Sequence, residues 1–239
     1  MVKLALLASC GIGAALLLTG CGAASGDAPV SPAASAPVAD GSRKVELEAR
    51  VSRLTDVFGS PLRIVSPEDA EVGVEATEKF FEGADIRPAE CIGMVADGLA
   101  VARTKATAGV MGTGEADDAG GVLLLVILDD SAQESVSRIF SADRERLAGC
   151  SPLALTVGGT TTTLISHELP QDLIGEEAYA LLTTAEEEGA EEPVHTLAVT
   201  ARGNGVIVSA QSTSAVEPDG ILQDHLAELA ARALEPAGS

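Results

Sequence analysis

Three histidines, His167, His195 and His225, are the imidazoles through which this chain could bind a metal or move a proton. None stands in a His-Glu-x-x-His pattern, the spacing that puts two imidazoles on one helical face. His225 falls within a helical pattern, where a place on the helix face is the simpler account. His167, at the end of a strand pattern, could meet His195 from the neighbouring hairpin at a metal, but histidines isolated in this way are expected not to be ligands. No Gly-x-Ser-x-Gly elbow presents a nucleophilic serine. Thr160 to Thr163 reads as an edge or solvent-facing strand segment. Glu115, Asp117 and Asp118 form an acidic loop between glycines, without the alternating Asp series of a calcium loop. Glu186 to Glu188 with Glu191 and Glu192 form a second acidic loop. These groups are expected to be solvated, with no catalytic set, no metal and no cofactor.

The cysteines are more informative. Met1-Val2-Lys3 is a short positive start, and Leu4 to Leu18 is an apolar run broken only by small residues. This has the form of a secretory signal rather than a membrane span, which needs about 20 apolar residues and stop-transfer flanks. The run ends in Leu18-Thr19-Gly20-Cys21, which resembles the bacterial lipobox. The resemblance implies cleavage between Gly20 and Cys21 and a diacylglyceryl thioether on Cys21, whose acyl chains anchor the protein to a membrane. Cys10 leaves with the signal and Cys21 is acylated, so Cys91 and Cys150 remain. In an exported protein that pair is expected to form one disulfide, closing a loop of about 60 residues.

Residues 21–42, the lipidated cysteine followed by an Ala/Pro/Ser/Gly stretch, make a flexible tether. Residues 43–236 are long enough for a single domain with a real core. Loss of Lys3 leaves 14 basic against 36 acidic residues, a formal charge of −22. Such a balance argues against nucleic acid and against docking on anionic headgroups by charge.

The elements that must position these residues follow from periodicity. Val45, Leu47, Val51, Leu54, Val57 and Phe58 form the apolar stripe of a helix over 43–58, closed by Gly59. Leu62 to Val65 is a short strand. Ser66-Pro67-Glu68-Asp69 is an N-cap, a proline at N1 and acids in the first turn, starting a helix that runs to Phe81. Pro88 opens a short helical stretch carrying Cys91 and Met94. Ala100 to Met111 and Val122 to Leu128 read as strands joined by the loop Gly112 to Gly121; the second, apolar at every position, suits a strand covered on both faces. Ser131 and Glu134 stand at capping-box spacing before a helix that ends at Gly149. Leu153–Val157, Thr160–Glu168, Ala178–Thr184, His195–Ala201 and Val206–Gln211 are strands, with Gly158-Gly159 and Gly203-Asn204-Gly205 as tight turns. A last helix runs from Pro218 to Leu234. This order predicts an α+β domain, an antiparallel sheet with helices packed mainly on one face and one disulfide.

The lipobox, the Ala/Ser/Pro tether, a cysteine after a proline, an apolar strand, a helix ending in a second cysteine, a hairpin-rich half and a C-terminal helix together resemble the extracellular sensor domain of the actinobacterial PknH-type serine/threonine kinases and the lipoproteins that share it. The resemblance implies a sheet domain with a ligand-binding cleft, and no enzyme. Members of the kinase branch typically have two disulfides and aromatic residues near the cysteines. Here one pair remains, with no tryptophan and only Tyr179 and four phenylalanines, so only Cys91 and Cys150 carry over.

The expected function is a non-catalytic ligand-binding or sensing module, lipid-anchored on the extracytoplasmic face of the cell membrane. Its partners are the membrane, through the anchor, and a small-molecule, cell-wall or protein ligand. The alternative is a lipid-carrier lipoprotein of the LppX type, with an apolar cavity in a curved sheet.

Overall fold

The structure, a computed structural model, describes residues 41–118, 120–130 and 149–236. Helix α1 (Gly41–Ser52) is followed by strand β1 (Arg63–Ile64), helix α2 (Pro67–Phe81) and strand β2 (Asp85–Arg87). A single 3-10 turn (Ala89–Cys91) leads into α3 (Ile92–Ala108), then β3 (Val110–Glu115) and β4 (Val122–Asp129). The second half is the meander β5 (Leu153–Val157), β6 (Thr160–Leu169), β7 (Glu177–Glu187), β8 (Val194–Gly203) and β9 (Val206–Ser214), closed by α4 (Gly220–Leu234). The helix expected between Ser131 and Gly149 lies outside the described residues.

Among the described residues nine strands form one antiparallel sheet in the order β1-β3-β4-β9-β8-β7-β6-β5-β2. The α+β class, the antiparallel sheet and the Cys91–Cys150 disulfide, with Cα atoms 5.9 Å apart, agree with the sequence reading. The helices do not gather on one face. Leu47 and Val51 of α1 and Leu226, Leu229 and Ala233 of α4 pack on Leu123, Leu125, Leu197, Val199 and Val208. Val74 of α2 and Ala102 and Ala106 of α3 pack on the opposite face, against Leu124, Val126 and Leu181. The reason is visible in β4, whose residues Leu123 to Leu128 are all buried: a strand apolar on both sides needs cover on both sides.

Several element boundaries differ from the sequence reading for identifiable reasons. Helix α3 continues to Ala108, where a strand over Ala100 to Met111 was expected. Its buried residues Met94, Gly98, Ala102 and Ala106 recur every four positions, and Thr104 and Thr107 donate to the carbonyls of Ala100 and Arg103, each at 3.0 Å, so their hydroxyls are satisfied inside the helix. β3 then takes in the first part of the expected loop, as far as Glu115. Its glycines are there because α1 and the following loop lie directly on it: a Cβ on Gly112 would stand 2.6 Å from Val51 Cγ1, and one on Gly114 2.6 Å from Asp56 Cβ. Helix α1 ends at Ser52 instead of Phe58, and Val45 and Phe58, both assigned to its apolar stripe, are exposed. The second acidic stretch is likewise shorter as a loop, since Glu186 and Glu187 lie on β7 opposite Thr163 and Thr162.

Arg50 is 1% exposed on the core side of α1. Its Nη1 donates to the carbonyls of Leu234 at 3.1 Å and Ala233 at 3.3 Å, and its Nη2 pairs with Glu46 at 2.7 Å. A cation is thus held where the last carbonyls of α4 concentrate negative charge. Arg50→Leu keeps the apolar stem but leaves those carbonyls unpaired. It should cost about 3 kcal/mol and lower Tm by about 9 °C. Urea unfolding with an unchanged midpoint would show that the guanidinium does not hold the two helices together.

Candidate functional site

The face of the sheet under α2 and α3 is not uniformly apolar. Between the cluster of Tyr179, Leu181, Leu124 and Val126 and that of Ile86, Leu153, Leu155 and Leu164 lies a band of polar side chains. The register places Ser166, Thr183, Thr196 and Thr213 opposite one another across β6, β7, β8 and β9. Nearby on the same face, Thr200 is opposite Ser209, and Gln211 is opposite Ala198 and Leu124. Hydroxyl pairs satisfy most of the row: Ser166 with Thr183 at 2.9 Å, Thr196 with Thr213 at 3.1 Å and Thr200 with Ser209 at 3.4 Å. Gln211 is 3% exposed and its Oε1 has no hydrogen-bond partner. An unpaired buried amide oxygen costs about 1–3 kcal/mol, so this position is not optimised for stability alone. Ser166 and Thr213, at the two ends of the four-strand row, are only half-buried.

These residues escaped the sequence reading because β9 alternates. Val206, Val208 and Ala210 form one face, while Ile207, Ser209 and Gln211 form the other. The polar set reads as solvent-facing until helices are known to cover both sides.

The expected ligand-type residues are dispersed. His167 is opposite Leu182 and His195 opposite Thr184, with β7 between their strands, which puts them roughly 10 Å apart laterally at about 4.8 Å per strand. The His195 ring lies 3.1 Å from the Thr184 hydroxyl. Thr160 to Thr163 belong to β6, which is flanked by β5 and β7 and is not an edge, although Thr160 is exposed and the rest half-buried. Among the described residues no three His, Cys, Asp or Glu side chains converge on a common point. Asp117 turns back into its own hairpin and accepts the Gly121 N–H at 2.9 Å. Cys21, with the Gly20–Cys21 cleavage point, lies outside the described residues. Among them no helix is long and apolar enough to cross a membrane.

One carboxylate organises the loop after α1. Asp56 is 4% exposed; its Oδ1 accepts the N–H groups of Phe58 at 3.0 Å and Ser60 at 2.9 Å, and its Oδ2 that of Glu115 at 3.2 Å. This turn ends the helix early and ties it to β3. Burial alone would push the carboxyl pKa up. The donors of Glu115, Ser60 and Phe58, helped by His225, outweigh it and hold the value below the ordinary 3.8. A depressed carboxyl pKa stabilises the fold above the unfolded value, and that stability is lost as pH falls through the folded one. Asp56→Asn should therefore cost about 2 kcal/mol at pH 7, with the gap to wild type closing only below the ordinary carboxylate range. Urea midpoints measured from pH 7 to pH 2.5 check both parts. The signal was present as an aspartate with a glycine three residues on, a turn-forming combination.

The fold and its polar band define an α+β domain built on one antiparallel sheet covered on both faces. No protein-family model matches the chain, and no curated protein sequence matches it. Among solved structures it is similar to the extracellular domain of PknH from Mycobacterium tuberculosis, at 11% identity and a TM-score of 0.41, over 63% of this chain and 77% of that one.

Proposed function

We propose that this chain is a non-catalytic binding or sensing module, held at the extracytoplasmic face of a membrane by lipid on Cys21, which takes a neutral, hydrogen-bonding ligand at the polar band of its sheet. The leader and the Leu18-Thr19-Gly20-Cys21 tetrad support the location. The unpartnered Gln211 Oε1, beside a row of hydroxyls on an otherwise apolar face, carries the binding reading. A polyhydroxylated or amide-rich fragment of the cell wall, entering beside the half-buried Thr213 two residues along β9, would supply the donor that this oxygen lacks. A lipid carrier is the weaker reading, because a polar band crosses one face of the sheet and α1 and α4 fill the other.

The test is a thermal-shift screen of soluble cell-wall saccharides and peptides against wild type and Gln211→Leu. A bound ligand raises Tm in proportion to RT ln(1 + [L]/Kd). The expected result is a saturable shift in wild type that disappears in Gln211→Leu, while the variant without ligand melts no lower than wild type. A shift retained by the variant would move the site elsewhere. A variant that melts much lower would make Gln211 structural.

A further inference from the structure

The turn between β8 and β9 carries reactive chemistry that the polar band does not use. Gly203 pairs with Val206, so Asn204 and Gly205 alone make the turn. Asn204 stands at φ 51°, the one non-glycine in the left-handed region among the described residues, and Gly205 at φ 70°. Asn-Gly suits such a turn. It is also a pair in which the next main-chain nitrogen can attack the side-chain carboxamide, because glycine has no side chain to obstruct the approach. Both residues are exposed. The turn is nevertheless held from three directions. Asn204 Nδ2 donates to the Leu234 carbonyl at the end of α4 at 3.1 Å, and the Gly205 carbonyl accepts from Arg43 Nη2 at 3.1 Å and from the Asp130 N–H at 2.9 Å.

The docked end of α4 protects this turn. The Leu234 carbonyl also accepts from Arg50 Nη1 at 3.1 Å, and Arg53 donates to the carbonyls of Arg232, Glu235 and Pro236. While these bonds stand, the Asn204 amide is committed to α4 and its main chain is fixed by the paired strands on either side. Once the helix end lifts, the Gly205 nitrogen, losing its proton to base, attacks Asn204 Cγ and expels ammonia, closing a succinimide. Water then opens the ring at either carbonyl and leaves an aspartyl or isoaspartyl residue at 204, with no oxidant or reductant consumed. Neither product restores the contact. A carboxylate cannot donate to the Leu234 carbonyl, it competes with that carbonyl for Arg50 Nη1, and the C-terminal end of a helix repels negative charge. The isoaspartyl form also adds a methylene to the main chain of a two-residue turn whose length sets the strand register. We infer that Asn204-Gly205 is a site of spontaneous modification gated by the docking of α4, which converts an opening of the helix end into a lasting change. It is independent of the polar band and of any ligand bound there.

The experiment uses the full mature chain, made without lipid as Cys21→Ser, incubated at mildly alkaline pH. Mass spectrometry of the peptide spanning Asn204, with aspartyl and isoaspartyl forms separated, gives the rate of conversion. The chain unfolded in urea should convert at least about tenfold faster than the folded chain, because reaction waits on opening. Arg50→Leu, which removes a donor from the Leu234 carbonyl while leaving the Asn-Gly pair intact, should speed conversion by at least about tenfold in the absence of urea. Arg53→Gln, a milder change at the same helix end, gives the comparison should Arg50→Leu not fold, with an increase of about threefold. A second readout tests the consequence. Hydrogen exchange at 230–234 should be faster in Asn204→Asp than in Asn204→Gly, which fits the left-handed turn and loses the bond without adding charge. Conversion as fast in the folded chain as in urea would overturn the inference, as would equal rates in wild type and a folded helix-end variant. Exchange in Asn204→Asp no faster than in wild type would overturn the lasting change.

Discussion

Replacing Cys91 and Cys150 together by serine is expected to lower stability by about 3–4 kcal/mol and Tm by about 10 °C. The bridge spans 59 residues, and confining a loop of that length in the unfolded chain is worth about 4 kcal/mol by chain entropy. Its place in the fold makes the loss local at first. Cys91 is fully buried in the turn between β2 and α3, and Cys150 lies three residues before the start of β5. β2 is only three residues long and sits at the sheet edge, paired to β5 through Ile86 and Leu155. Without the bridge, that edge keeps the small cluster of Ile86, Met94, Val95, Leu153, Leu155 and Leu164, and it should open before the rest of the sheet. Hydrogen exchange should therefore accelerate first at 85–95 and 153–157. Reduced wild type should match the double variant in urea midpoint. A wild type insensitive to reductant, with free thiols at both positions, would reject the bridge.

Cys21→Ser should transfer the protein almost completely from the membrane fraction to the soluble fraction. A single acyl chain binds membranes only marginally, with an association constant of about 10⁴ M⁻¹, whereas each further buried CH₂ adds about 0.8 kcal/mol and two chains anchor stably. No compensating attraction is available, since a mature chain of charge −22 is repelled by anionic headgroups. The serine cannot form the thioether, so precursor with an uncleaved leader should also accumulate. Fractionation with a high-salt wash and the mass of the N-terminal peptide measure the outcome. Full membrane retention of the variant, or an unmodified Cys21 peptide from wild type, would defeat the lipoprotein reading.

Both predictions rest on residues legible without a structure, whereas those made for Arg50, Asp56 and Gln211 do not. Arg50 looks like an ordinary helix-surface arginine, four residues after Glu46. The clue was its place between Leu47 and Val51 on the apolar stripe, and the carbonyl it caps is 184 positions away. Gln211 looks like a solvent-facing residue of an alternating strand. Period-two patterning separates two faces but does not say whether the polar one meets water or a helix. His225 was placed correctly in the last helix, yet nothing in the sequence shows that its Nε2 is buried without a hydrogen-bond partner.

Local chemistry therefore decided what neighbours along the chain can decide. The Ser66-Pro67 helix start, the glycine turns at 158–159 and 203–205 and the period of β5 to β9 all act within a few residues. Cysteine pairing joined them because elimination left one choice. Tertiary structure decided the division of helices between two faces, the threonine-bearing segment of α3 that became helix and the burial of the polar band. In each of these the free energy comes from groups distant in sequence, and a residue's own pattern is the same whether or not its partner arrives.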